Sequence, residues 1–261
     1  MKVIFHGTRG AYPMSRPDSQ QVGGLTNCVE LVEGNNRLII DAGSGITNCE
    51  PSDEFDFILL SHFHLDHVIC LPEFLTRKKS GTAVLIAAGC PSPSHLKKVL
   101  HELFGSPYFP VTLEVIHPAI EYADLGHKRL NQTWEIRHAP LTHPGGSSGY
   151  CVRSRATGKS VTHLMDHEHL QCNDDGPSKL AHEVDLLIWD GCYDDIDYHS
   201  VRGFGHSTWE QGVLFGLLNH VKMVAISGHA THRTDARAAA IEKCLDPSQA
   251  ILAKDGQILV L

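Results

Sequence analysis

Residues 61–67 read Ser-His-Phe-His-Leu-Asp-His, placing three imidazoles and a carboxylate within six positions, directly after the apolar run 55–60. Such a run reads as a deeply buried strand, and a strand that delivers ligands at its exit constrains everything packed around it. Neutral imidazole and carboxylate are the groups that hold zinc and similar divalent ions. In an extended or turning backbone His62 and His64 point the same way, because side chains alternate with period two. Asp66 and His67 follow where the chain must turn, so they can address a second point nearby. One segment can therefore serve two metal ions. A histidine-rich surface loop is the competing reading in a chain with 19 histidines. The H-x-H-x-D-H spacing after a buried strand is far more specific than that.

The frame around the motif excludes several classes. A length of 261 residues suits one large domain, or two fused halves sharing it, over 1–261. Lysine and arginine total 22 against 30 acids, a net charge of −8, which argues against a long nucleic acid as the main partner. The eight cysteines (28, 49, 70, 90, 151, 172, 192 and 244) form no C-x-x-C pair and read as reduced, mostly buried thiols. The opening Met-Lys-Val-Ile-Phe-His is too short for a signal peptide, and no apolar run is long enough to span a membrane. A cytoplasmic protein is expected.

Strands are expected at 3–5, 28–32, 37–40 and 55–60, then helices at 68–79 and 95–104 flanking a strand at 83–87. The second half repeats the order. Strands are expected at 111–116, 134–138, 149–154, 160–165, 185–189 and 223–227, and helices at 208–220 and 235–245. Residues 251–252 and 258–260 read as a terminal hairpin around Asp255-Gly256. Two sheets face to face with helices outside bury all these strands, an α/β sandwich of αββα layers. The irregular stretch 10–24, rich in Gly, Pro, Ser and Gln, is either a rim of the site or a disordered arm.

Further candidate ligands sit at later strand ends: His143 between two strands, Asp166 after 160–165, and His229 after 223–227. Each alone is weak. Asp41, before Gly-Ser-Gly, reads as a structural carboxylate satisfying loop amides. Residues 145–149 satisfy the G-x-S-x-G pattern of serine hydrolases, but that elbow must lead into a helix, whereas this one leads into a strand. Ser147 and Ser148 are candidate substrate contacts beside His143. His163, His167, His169, His199 and His232 lie near the motifs without an assigned role.

Taken with His143, Asp166 and His229, the motif at 62–67 resembles the metallo-β-lactamase superfamily. Gly7-Thr8-Arg9-Gly10, the stretch at 23–28 and Asp41-Ala42-Gly43-Ser44-Gly45 are similar to its phosphodiesterase branch. That branch includes the tRNA 3′-processing endonuclease and metal-dependent cyclic-nucleotide phosphodiesterases. The stretches at 190–193 and 205–210 fit the same branch. Two departures stand out: His167-Glu168-His169 follows Asp166 where threonine is common, and His229 lacks a flanking Asp-Pro.

The resemblance implies two divalent metals, zinc first, with manganese or iron acceptable. His62, His64 and His143 would hold one, Asp66, His67 and His229 the other, and Asp166 would bridge them. Two such ions roughly 3.5–4 Å apart clamp a phosphate and activate a bridging hydroxide. About one net positive charge remains, favouring an anionic substrate. Asp66, Asp190 and His206 are the expected catalytic residues, with Asp190 raising the His206 pKa so that the imidazolium protonates the leaving oxygen. The bland alternative for His206 is a helix-entry residue. The expected function is phosphodiester hydrolysis in a small substrate such as a cyclic nucleotide. The alternatives are tRNA 3′-processing, lactone, thioester or β-lactam hydrolysis on the same fold, and metal-dependent ligand sensing. A homodimer is expected at family level.

Overall fold

The computed structural model describes residues 1–89, 92–170 and 175–261. Cys90 and Cys172, expected as reduced thiols, lie outside the described residues. The other six cysteines are free.

Two sheets carry the fold. The first is built from β1 (Lys2–Gly7), β2 (Cys28–Glu33), β3 (Asn36–Ile40), β4 (Phe55–Leu60), β5 (Ala83–Ala88) and β6 (Ile120–Ala123). The second holds β7 (Trp134–Leu141), β8 (Ser147–Ser154), β9 (Ser160–Leu164), β10 (Leu186–Asp190), β11 (Val224–Ser227) and β12 (Ala250–Leu252), and β13 (Ile258–Val260) returns to the first. The strand order is β13-β1-β2-β3-β4-β5-β6 in one sheet and β12-β11-β10-β9-β8-β7 in the other. Each half starts with antiparallel pairs and continues with parallel ones: β3 through β6, then β9 through β12.

Period-two alternation separates the layers. Leu38, Ile40, Phe57, Leu59, Leu85 and Ala87 meet Tyr150, Val152, Leu186 and Ile188 of the second sheet in one buried cluster. The alternate residues Ile39, Ile58, Leu60, Val84 and Ile86 pack outward. They meet the short 3-10 helix Ser44–Asn48 and the helices α1 (Leu65–Val68), α2 (Leu71–Arg77), α3 (Pro93–Leu103) and α4 (Leu113–Ile116). Helix α5 (Lys128–Thr133) precedes β7. On the other outer face lie α6 (Asp175–Ala181), α8 (Trp209–Leu218) and α9 (Asp235–Glu242), with α7 (Asp195–Val201) packed on α8. This is the αββα sandwich. Thr208 caps α8 with a capping box that includes Gln211.

Some local expectations fail. The helix expected over 68–79 is divided at Cys70, whose N–H is drawn to the Ala42 carbonyl, and α2 restarts with Pro72 in its first turn. The β-rich stretch 111–116 ends in helix α4, which buries Leu113 in the outer layer, and the strand comes later as β6. The terminal hairpin does not form: β12 pairs with β11 and β13 with β1, in different sheets. The stretch 10–24 is a packed loop. Arg9, fully buried, donates to the carbonyls of Ser19, Gly23, Ala230 and Arg233, clamping that loop to the segment after β11.

Asp185 fixes the register of the two strands that end at the site. Its carboxylate accepts from the Ser160 amide at 3.0 Å and takes Lys159 and Lys222 at 3.1 and 2.8 Å. Burial opposes ionisation, but the Lys222 hydrogen bond, the Ser160 amide and Lys159 outweigh it and hold the pKa at about 2. A depressed carboxyl pKa contributes stability that is present above its unfolded value and lost as pH falls through the folded one. Asp185→Asn should lower stability by about 1–2 kcal/mol at neutral pH. In urea titrations its gap to the parent should be full above pH ~4 and close as pH falls towards about 2.

Candidate metal centre

The site forms where strand ends from both halves meet. Asp41 directly follows β3, and its φ of 64° turns the chain sharply. The Asp41 carboxylate accepts from the Ser61 amide and hydroxyl at 2.7 and 2.8 Å, pinning the exit of β4. It also accepts from His67 Nδ1 at 2.8 Å, which directs Nε2 inward. Asp41 thus satisfies a loop amide, as expected, and orients a histidine as well. His67 Nε2 then lies 3.0 Å from Asp166 Oδ1 and 3.4 Å from Asp66 Oδ2. Asn27, which the sequence did not single out, reaches the same nitrogen at 2.8 Å.

Asp166 is the centre of the cluster. It follows β9 in the left-handed region at φ 55°, a conformation that costs about 1–2 kcal/mol for a residue with a side chain. Its Oδ2 lies 3.3 Å from His143 Nε2 and 3.5 Å from His62 Nε2. His143 donates from Nδ1 to the Gly205 carbonyl at 2.8 Å, so its Nε2 faces His64 Nδ1 at 3.0 Å. Gly205 permits this approach: a Cβ there would sit 2.4 Å from His143 Nδ1, and its φ is 84°. Asp66 is held by the Ala11 amide at 2.8 Å, so the loop 10–24 forms part of the rim.

His62, His64, His143 and Asp166 have donor atoms within 4.8 Å of one another, and so do Asp66, His67 and Asp166. The protonation states suit a cation. Burial and the neighbouring His67 charge push His62 down to about 3, so its ring is neutral. Its buried Nε2 has no hydrogen-bond partner among the described residues. Burial also lowers His64. Burial works against the Asp66 carboxylate, but His67 and the Ala11 amide bring it to about 2, and Asp166 is held well below its usual range chiefly by His67. Despite burial, His67 is raised well above its usual value by Asp166, Asp66 and Asp41. Negative charge concentrated here demands positive charge, and the donor set suits a divalent metal.

His229 lies apart from the cluster. It is fully buried, but its Nε2 donates to the Ala253 carbonyl at 2.9 Å and its Nδ1 accepts from Arg233 at 3.0 Å. Arg233 is itself held by Asp194 and by the carbonyls of Gly191 and Cys192. Both ring nitrogens are used away from the cluster, and burial followed by the Arg233 charge keeps the ring neutral. The structure gathers the six other expected ligands and leaves this one aside.

His206 stands beside the cluster, its Nε2 4.0 Å from Asp166 Oδ2 and its Nδ1 2.7 Å from Asp190. Asp190 is fixed by the amides of His167 and Cys192. Burial lowers the His206 pKa, but the charge and hydrogen bond of Asp190 outweigh it and raise it to about 9. Glu168 accepts from the amides of Gly203 and Gly205 and from the Tyr198 hydroxyl, holding the loop that presents His206. The His-Glu-His run after Asp166 was the only sequence signal for that role. Among the unassigned histidines, His163 is buried and pushed to about 4 by burial, and His167 and His169 pack their rings near Trp189.

Two clefts flank the cluster. One of about 690 Å³ is bordered by Phe63, Val99, Pro140, Leu141, His95 and His138, with His62 at its edge. The other, about 530 Å³, presents Arg202, Glu168 and Thr142 around His143. Ser147 and Ser148 line the first, and Ser147 Oγ also donates to the Met165 carbonyl. Among the described residues, no helix is long and apolar enough to cross a membrane.

Comparison with known proteins agrees with this architecture. A ribonuclease Z from Bradyrhizobium sp. (strain ORS 278) is 29% identical over 122 residues, 44% of this chain and 38% of that protein. The chain spans less than half the length of the first two curated relatives it matches. The short form of human tRNase Z superposes with a TM-score of 0.71 at 19% identity, over 100% of this chain and 99% of that one. A diphosphatase of the PhnP family superposes with a TM-score of 0.70 at 16% identity, over 99% and 96%. These structural likenesses establish the fold. Residues 36–252 match the beta-lactamase superfamily domain, and the chain belongs to that family and has the metallo-β-lactamase fold.

Proposed function

We propose that the protein is a dinuclear metal-dependent phosphodiesterase acting on a small anionic diester such as a cyclic nucleotide. The observation that carries this reading is His206, charged below pH about 9, standing against the carboxylate around which the ligand residues gather. His62, His64 and His143 would hold one divalent ion, Asp66 and His67 the other, with Asp166 between them. Including His229 in the second set would mean breaking its bonds to Ala253 and Arg233, so the proposal rests on the other six. Two such ions, zinc by the histidine-rich donor set and manganese or iron by its carboxylates, would polarise the phosphoryl oxygens and ease deprotonation of a water.

The chain's own residues handle the leaving group. Asp190 fixes the His206 tautomer and its charge, so Nε2–H donates to the departing ester oxygen, and solvent later restores the proton. The cleft of about 690 Å³ is of a size typical for small-molecule sites, and its apolar wall suits the organic half of a diester. The net charge of −8 disfavours a long polyanion. The protein would work in the cytoplasm, as a homodimer. The resemblance to ribonuclease Z favours a second reading, tRNA 3′-processing. Cleavage of a precursor tRNA with steep salt dependence would support that reading over the first.

The metal-loaded protein should hydrolyse bis(p-nitrophenyl) phosphate, and a chelator should abolish turnover. No turnover with two metals bound would redirect the search to lactones, thioesters or β-lactams. His206→Ala should lower kcat by about 10²–10⁴ with metal content unchanged, and unaltered turnover would remove the phosphodiester reading. Asp41→Asn should weaken metal affinity by roughly 10–100-fold, read by competition with a chromophoric chelator, while the circular dichroism spectrum stays that of the parent.

A further inference from the structure

A second cluster of ligand-type side chains lies on the outer face of the first sheet. His6 on β1, Cys28 and Glu30 on β2, and Cys49 just after the 3-10 helix Ser44–Asn48 are all at least nine-tenths buried. Donor atoms of His6, Glu30 and Cys49 lie within 4.8 Å of one another. The sulfurs of Cys28 and Cys49 are 3.7 Å apart. Two thiolates on one tetrahedral zinc, each about 2.3 Å from it, would be separated by roughly 3.7 Å. Glu30 Oε2 is 2.8 Å from His6 Nε2, while its Oε1 is held by Arg37 at 2.9 Å. A carboxylate steadied through one oxygen and offering the other is the arrangement that orients a metal ligand.

We propose that His6, Cys28, Glu30 and Cys49 form a structural zinc site, distinct from the catalytic cluster and closed to substrate. Four protein ligands with no open position are the mark of a structural rather than a catalytic zinc. Charge balance supports it. Arg37 also reaches Asp56 at 3.4 Å, and Lys78 contacts Asp56 at 2.8 Å. Zinc with two thiolates, a neutral His6 and the Glu30 carboxylate would leave the buried chain of Glu30, Arg37, Asp56 and Lys78 without net charge. Binding would displace the protons of His6 and both thiols, so affinity should fall in acid. The site would tie the 3-10 segment to β1 and β2 and stabilise the fold by mass action.

Cobalt(II) tests this independently of any activity, because the six residues gathered at the catalytic cluster offer only nitrogen and oxygen. The reduced protein titrated with cobalt should develop a thiolate-to-cobalt charge-transfer band. Cys49→Ser should abolish it and lower the bound zinc by one per chain. Cys192→Ala, which removes the thiol beside Asp190 and His206, should leave the band in place. Glu30→Gln should weaken the affinity that the band reports, and it serves if Cys49→Ser folds poorly. No band in the parent protein, or one that survives in Cys49→Ser, overturns the proposal. So does a band lost only in Cys192→Ala.

Discussion

The buried ring of His67 among the carboxylates of Asp41, Asp66 and Asp166 is the interaction on which the site depends. Each carboxylate arrives from a different part of the chain: the end of β3, the first turn of α1 and the end of β9. Three like charges out of water are tolerable only with compensating positive charge close by. The imidazole supplies it here, and a divalent metal supplies it better. Burial keeps His62 neutral although it lies 3.5 Å from Asp166, and the charge on His67 adds to that effect. A second positive ring in so small a space would repel the first.

The sheets make that convergence possible. Within each half the parallel strands end on the same side, so β4, β9, β10 and β11 release their polar residues towards one rim. The rigid strand ends fix Asp166 and Asp190, while backbone amides and carbonyls of the loops set the tautomers. Gly205 accepts from His143, and the amides of His167 and Cys192 hold the Asp190 carboxylate that orients His206. Function here is carried by loop groups whose geometry is borrowed from the layers beneath them.

The sequence made the strands and the first motif legible because both are local signals. Alternation along 37–40, 55–60 and 83–87 marks which residues face which layer, and the six residues 62–67 need no distant partner to be recognised. Legibility failed where a distant group decides. Whether His229 faces the cluster depends on Arg233, which is fixed by Asp194 far from it in sequence. The break at Cys70 depends on the Ala42 carbonyl. Residues 111–116 carry strand-forming side chains, but burial of Leu113 among helices favours a short helix. Asn27 and Glu168 bear polar side chains of a common kind, and only the folded loops show what they hold.

The return of β13 to the first sheet has a consequence for how the molecule is assembled. Lys2 lies opposite Val260, and Arg9 is caged by carbonyls from residues 230 and 233. The rim segment that carries Ala11, and with it the amide holding Asp66, is anchored by residues more than 200 positions further along the chain. Contacts of such sequence separation form late and make folding slow. During synthesis the histidine motif at 62–67 therefore emerges well before residues 230–233 and 258–260, which complete the scaffold around it.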